Sequence, residues 1–402
     1  MKDEAVKGFA TKQMHARSIA DGFGAVTFPI YRTSTYKFSS TDLCAGEFEK
    51  TEDPSCSDRW YVYARSSNPS TAELEERYAA LHGYRGAVAY ASGVGAINAA
   101  LFIAVSAGDH IVYSDSTYSA TSAIMGTELP RFGVETTAVD FSDLAAVEAA
   151  IRPNTKVLYT ETIANPAMKV ADLKAIAALG KKHGILTMTD NTFAGAWNCR
   201  PAEFGIDVVI ESLTKYVSGH GDCVGGIVLS NDERCLYDLR MRSLLNLGSV
   251  MAPDTAFLMV RGLKTMELRC QKHAENAQKL AEFLQTRSQV EKVLYPGLPS
   301  HENYQLAKEM LTTGGGMISI TVKGGRKGGS AFMNALRIAS IAVSLGDTET
   351  LVEHPASMTH IHLTEDELAA AGIAGGMIRI SVGLESIDDL IEDFGNALEA
   401  IS

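Results

Sequence analysis

A lysine that follows a buried strand needs a reason to be there, because an ammonium is rarely taken out of water unless it is paired or consumed. Lys215 is such a residue. Val208, Val209 and Ile210 read as a strand, and Glu211-Ser212-Leu213-Thr214-Lys215-Tyr216 leads the chain out of it into the turn-rich Ser218-Gly219-His220-Gly221-Asp222. One explanation is a Schiff base, in which the amine is covalently used, with Ser212 and Thr214 donating hydrogen bonds to a nearby phosphate. The other is a lysine simply solvated beyond its strand. Asp190 ends the apolar run that starts at Ile185 and is followed by Asn191-Thr192. An acid there suits a protonated pyridine nitrogen, the partner that keeps a pyridoxal phosphate (PLP) ring an electron sink; a turn or N-cap aspartate is the alternative. One helix–strand unit separates Asp190 from Lys215, which places both at the same edge of one sheet.

Three further groups fall in a consistent order along the chain. Ala91-Ser92-Gly93-Val94-Gly95-Ala96-Ile97 lies between a strand and a helix, where small residues let backbone N–H groups approach a phosphate. A nicotinamide fingerprint is the rival there, with Asp115 as its acid, but Asn98 stands where its third glycine belongs and that reading leaves Lys215 and Asp190 unexplained. Tyr118 sits in a strand-to-helix loop and could stack on a cofactor ring; a surface tyrosine is the alternative. Arg379, inside the strand-like Met377-Ile378-Arg379-Ile380-Ser381, suits a substrate carboxylate, or an edge strand protected by charge.

The elements that must position these residues are strands alternating with helices, which implies an α/β fold with a mostly parallel sheet covered on both faces. Short β-rich runs are expected at Gly86–Ala91, His110–Ser114, Glu135–Val139, Lys156–Glu161, Ile185–Asp190, Val208–Ser212 and Gly226–Leu229, with helices at Thr71–His82, Asp143–Ile151 and Val170–Lys182. After Pro253 the pattern changes. One long helix is expected from Thr255 to about Arg287, then strands at Gly316–Val322, Ile341–Ser344 and Met377–Val382 and a closing helix Asp388–Ile401. The division expected is an N-terminal arm over 1–65, a large domain over 66–255 and a smaller α+β domain over 256–402. Within the arm, SSTDLCAGEFEKTEDPSCSDRW reads as loop.

The chain has 402 residues, 46% hydrophobic and 21% charged, with a formal net charge of −12. That charge argues against nucleic acid and anionic membranes as partners. No apolar run is long enough to span a bilayer and the first residues hold no apolar signal core, so a cytoplasmic location is expected. The six cysteines are scattered without a CxxC pair or a Cys/His cluster, so no metal site is expected; Cys44 and Cys56 share one loop and could be redox-active, inert thiols being the alternative.

The stretches YARSSNP, ASGVGAI, ETIANP, TDNTFA, ESLTKYVSGHGD, SLGDTETLVEHPASMTH and IRISVGLE together resemble the cystathionine γ-synthase-like group of PLP enzymes, the Cys/Met metabolism family, over nearly the whole chain. The resemblance implies the fold type I architecture of PLP-dependent transferases, with a seven-stranded-type sheet. It implies that Lys215 forms the Schiff base, Asp190 pairs with the ring nitrogen and Tyr118 stacks on the ring. Ser92, Gly93, Val94, Ser212 and Thr214 would complete a phosphate cup, Tyr63 and Arg65 would reach the phosphate of a neighbouring subunit, and Asn165, Ser344 and Arg379 would hold the substrate carboxylate. A homotetramer built from obligate dimers follows from the same resemblance, and the substrate is an amino acid. GGMISITVKGG and the segment from Phe332 to Leu351 look most like the methionine γ-lyase branch, which implies α,γ-elimination with release of a 2-oxo acid, ammonia and a thiol or other leaving group. γ-Replacement, of the O-acetylhomoserine sulfhydrylase or cystathionine γ-synthase/γ-lyase type, is the alternative. Ala120 stands where that branch carries a cysteine and Leu244-Leu245 where it carries Lys-Asp, while Val343 replaces an acid common among cystathionine-handling relatives.

Overall fold

The computed structural model describes residues 8–19, 21–50, 60–359, 361, 364, 368 and 372–401. Among them the larger sheet contains β1 (Gly86–Tyr90), β2 (His110–Ser114), β3 (Glu135–Val139), β4 (Thr155–Glu161), β5 (Leu186–Asp190), β6 (Val208–Glu211) and β7 (Gly226–Ser230), in the order β1-β7-β6-β5-β4-β2-β3. Its pairings are parallel except the two made by β7, which runs antiparallel to β1 and β6. The mostly parallel sheet is therefore present, and all its strands but the edge strand β3 are largely buried because both faces are covered. Successive residues feed different cores: Val208 and Ile210 pack on one face with Tyr90, Ile97 and Tyr159, while Val209 packs on the other with Leu74, Tyr78 and Leu158.

The covering helices carry their own start and stop signals. Helix Pro69–His82 begins where the Asn68 side chain accepts from the Ser70 N–H at 2.8 Å and ends on Gly83 at φ 78°. Helix Leu173–His183 is capped by Asp172 and ended by Gly184 at φ 67°.

A second sheet follows, of β8 (Val290–Leu294), β9 (Met317–Val322), β10 (Ser340–Ile341), β11 (Leu351–Glu353) and β12 (Met377–Ser381), ordered β10-β11-β12-β9-β8. Helices Met266–Gln285, Gly325–Ala335 and Ile387–Glu399 pack on it through Leu280, Leu284, Phe332, Phe394 and Leu398.

Three local expectations are corrected. The single helix from Thr255 to Arg287 is two, Pro253–Leu263 and Met266–Gln285. The chain breaks at Lys264–Thr265, where the Gly262 carbonyl is taken by the Arg269 side chain at 2.8 Å. Part of the segment read as loop, Thr41–Glu49, is a helix capped by Ser40; it buries no residue, so no apolar period marks it. Residues 51–59 of that segment, with Cys56, lie outside the described residues. The strand expected over Ile341–Ser344 is instead Ser340–Ile341, and Ser344 beyond it stands at φ 93°. Strands β8 and β11 were not foreseen. Among the described residues no helix is long and apolar enough to cross a membrane.

Phe394 is fully buried and meets Phe332 edge to face at 5.8 Å between centroids. Phe394→Ala is expected to cost about 3–5 kcal/mol through the cavity it leaves, read as a lowered urea midpoint.

Candidate active site

The carboxyl ends of β1, β2, β4, β5 and β6 share one edge of the larger sheet, where ligands bind in open α/β sheets. After β1, the Ser92 hydroxyl accepts from the Gly95 N–H at 3.0 Å and starts helix Gly93–Ala104. A Cβ on Gly93 would stand 2.8 Å from the Ser212 Cβ, and one on Gly226 would stand 2.2 Å from the Ser92 carbonyl oxygen. The segments after β1 and β6 and the entry to β7 therefore approach closely because Gly93 and Gly226 carry no side chains. Val94 is in the first turn of the same helix. Thr214 is tied to the β7 entry: its hydroxyl accepts from the Gly225 N–H at 3.1 Å and donates to the Gly225 carbonyl at 3.2 Å.

Lys215 lies beyond β6, largely out of water, and its Nζ donates to the Ser344 Oγ at 2.6 Å. Burial first, and then the Arg379 charge, pull its pKa down to about 8, while Glu353 and Asp190 push it back up. Asp190 closes β5, and its Oδ1 accepts from the Thr192 N–H at 2.9 Å. Burial holds its carboxyl above the usual range, with Glu211 adding to the rise; the Thr192 hydrogen bonds and Lys215 oppose it.

Two acids given no role in the sequence reading support this edge. Glu161, the last residue of β4, sits opposite Asp190 in the register of β4 and β5. It is buried, and its two oxygens accept from the Tyr118 N–H at 2.5 Å and the Asn165 N–H at 3.3 Å. Burial and then Asp190 push its carboxyl well up. Glu211, the last residue of β6, is bonded by the Tyr78 hydroxyl and, at 2.7 Å, by the Asn191 side chain. The signal for both was the acid ending an otherwise apolar strand, the same signal that marked Asp190.

Arg379 is brought to the same place from the second sheet. It lies on β12, which is interior to that sheet, so the edge-strand alternative falls. Its Nη1 donates to the Asn165 Oδ1 at 3.2 Å, and its Nη2 donates to the Ser344 carbonyl at 2.9 Å and pairs with Glu353 at 2.6 Å. Ser344 thus touches lysine and arginine at once, from a left-handed backbone that costs a serine of order 1–3 kcal/mol. The peptide between Asn165 and Pro166 is cis.

Tyr118 stands at the start of helix Ser119–Ala123 with its ring partly exposed. Tyr63 and Arg65 are exposed, with the Arg65 guanidinium 5.1 Å from the centre of the Tyr63 ring; the bonds at Lys215 involve neither. Ala120 is within helix Ser119–Ala123, whereas Leu244 is buried in the core between the larger sheet and its helices.

A phosphate, a pyridine nitrogen and an aldehyde each find a matching group at this edge: a helix N-terminus crowded by glycine, the Asp190 carboxyl, and an amine whose pKa is pulled down to about 8. PLP fits that donor set.

Comparison with known proteins agrees. The Cys/Met metabolism PLP-dependent enzyme family matches residues 10–399. The chain is 44% identical over 396 residues to an L-methionine gamma-lyase of Porphyromonas gingivalis, covering 98% of each chain. It is 43% identical to an L-methionine gamma-lyase of Fusobacterium nucleatum, again with 98% coverage of both. The crystal structure of a putative O-acetylhomoserine (thiol)-lyase from Campylobacter jejuni, which carries N'-pyridoxyl-lysine-5'-monophosphate, superposes with a TM-score of 0.92 at 32% identity. That likeness covers 98% of this chain and 100% of the other.

Gly93→Ala is expected to lower the PLP content of the purified enzyme at least several-fold, because the added methyl meets Ser212; absorbance against protein concentration reads it. Only a neutral amine attacks an aldehyde. Reloading of cofactor-free protein should therefore accelerate as pH rises through about 8, followed by return of the visible band; a rise centred on the ordinary lysine range would contradict the depressed pKa.

Proposed function

The chain belongs to the Cys/Met metabolism family of PLP-dependent enzymes, and from that premise we propose that it cleaves the γ-substituent from a sulfur-containing L-amino acid, methionine or a near relative. The observation that carries this reading is the contact of Lys215 Nζ with Ser344, whose carbonyl also accepts from Arg379, so that the base and the carboxylate clamp are one connected unit.

PLP, when bound, supplies an aldehyde that Lys215 holds and a ring that takes up the electron pair left at the α-carbon. Ser92, Gly93, Val94, Ser212 and Thr214 hold its phosphate, and Asp190 keeps its ring nitrogen protonated. Asn165, Ser344 and Arg379 grip the substrate carboxylate and so aim the α-hydrogen at the freed amine of Lys215, which takes it as a proton and then moves protons at the β-carbon. Tyr118, lying on the ring, donates a proton to the departing sulfur. The Cγ–S bond breaks to give a thiol, and water completes release of a 2-oxo acid and ammonia.

The arm over 1–65 belongs to a neighbouring subunit's site through Tyr63 and Arg65, residues 66–255 form the cofactor domain and 256–402 the smaller one. A homotetramer of obligate dimers in the cytoplasm completes the proposal. The exposure of Tyr63 and Arg65, away from the Lys215 contacts, supports the shared site.

γ-Replacement on an acylated homoserine is the second reading, favoured by Ala120. Methionine, homocysteine, cystathionine, cysteine and O-acetylhomoserine supplied to PLP-loaded enzyme, with and without a thiol, separate the two. Prompt 2-oxo acid from methionine or homocysteine without added thiol is the expected result. Turnover confined to O-acetylhomoserine with thiol would replace elimination by substitution.

A further inference from the structure

Arg379, the residue assigned above to the substrate carboxylate, already has a carboxylate. Glu353 on β11 is its Cα partner on β12, so the two side chains share a face of the sheet. Both are buried, and Glu353 Oε2 lies 2.6 Å from Nη2. The other Glu353 oxygen accepts from the Thr359 hydroxyl at 2.5 Å, which fixes the carboxylate in place. With the Ser344 carbonyl also on Nη2, both hydrogens of that nitrogen are engaged. An arriving carboxylate must then use the Nη1 side, where Asn165 Oδ1 is the group that gives way. Asn165 suits this, because its amide can turn to present N–H instead of oxygen.

We propose that Glu353 is a specificity-determining residue that sets how weakly the clamp holds a carboxylate, by cancelling the charge of Arg379 before substrate arrives. The inference rests on the reading of Arg379 as the clamp. Its physical logic follows from the reaction. The α-carboxylate is carried unchanged from amino acid to 2-oxo acid, so tight binding of it stabilises substrate and product alike and does not speed the chemistry. A bare guanidinium held out of water would retain both. A guanidinium paired with Glu353 keeps its direction and hydrogen-bonding edge, while the like charge of Glu353 opposes the incoming carboxylate across it. Lys215 feels the same balance, since Arg379 lowers and Glu353 raises its pKa.

Glycine, which has an α-carboxylate but no γ-substituent to lose, and glycinamide, which lacks the carboxylate, isolate the effect. Each is titrated into PLP-loaded enzyme and followed by the change in the cofactor's visible absorption. Glu353→Gln keeps the size of the side chain and an oxygen for Nη2 but removes the charge. It is expected to bind glycine about tenfold more tightly, the scale of one like-charge repulsion removed from a partly shielded site, with glycinamide unchanged. Unchanged or weaker glycine binding, or an equal shift for both ligands, overturns the proposal and makes the pair purely structural. Arg379→Leu, run in parallel, should weaken glycine but not glycinamide; if it does not, the clamp assignment itself fails, independently of Glu353. Should Glu353→Gln not fold, Glu353→Asp, which draws the charge back by a methylene, is expected to tighten glycine to a smaller degree, and no tightening there counts against the proposal equally.

Discussion

Holding an amine away from water is expensive in proportion to how charged it remains, and the site is arranged around that expense at Lys215. Its environment lowers the pKa to about 8, so at any given pH a larger share of the amine is neutral, the state in which it can take hold of an aldehyde or accept a proton. The neighbouring acids are not placed to neutralise it by contact. Its hydrogen bond goes to a hydroxyl, Ser344, and the carboxylates of Asp190 and Glu353 act on it without a direct bond. A salt bridge at that position would have produced an ordinary charged lysine.

The same economy governs the acids. Asp190 and Glu161 end adjacent strands in register, a pair of carboxyls that would repel if nothing intervened. Glu161 spends its oxygens on the backbone of Tyr118 and Asn165, one from the loop before a helix and one from the segment after β4. Asp190 is left facing Thr192 and Lys215. Two carboxyl groups in neighbouring positions thus separate into a structural anchor and a group open to a ligand.

Much of this was legible in the sequence because the signals were local. Apolar runs broken by Ser92-Gly93, Asp190 and Ser212 mark strand ends, and strand ends in such a sheet face one edge. Gly83 marked a helix end that the backbone adopts at φ 78°. The chain was less legible where structure depends on distant partners. The break after Leu263 involves Arg269, whose side chain takes the Gly262 carbonyl from seven residues on. Glu353 and Arg379 become neighbours only when β11 pairs with β12, and β11 is three residues long with a charge in it, the kind of segment that alternation does not reveal. Thr41–Glu49 hid for the opposite reason: a helix that buries nothing has no apolar stripe to read.

The two sides of the site are made of different material. Where Gly93 meets the Ser212 side chain and Gly226 meets the Ser92 carbonyl, the wall is packed around two glycines, with no room for a methyl group. Opposite stand Asn165, Ser344, Arg379 and Glu353, a wall of side chains. A glycine has no side chain to trim or turn, so substitution at those two positions can destroy that wall but scarcely tune it. The other wall can drift residue by residue while the anchoring of the prosthetic group stays intact. Divergence within such a scaffold is thereby channelled: new substrates are reached by altering one flank of the cleft, and the chemistry inherited on the other flank is kept.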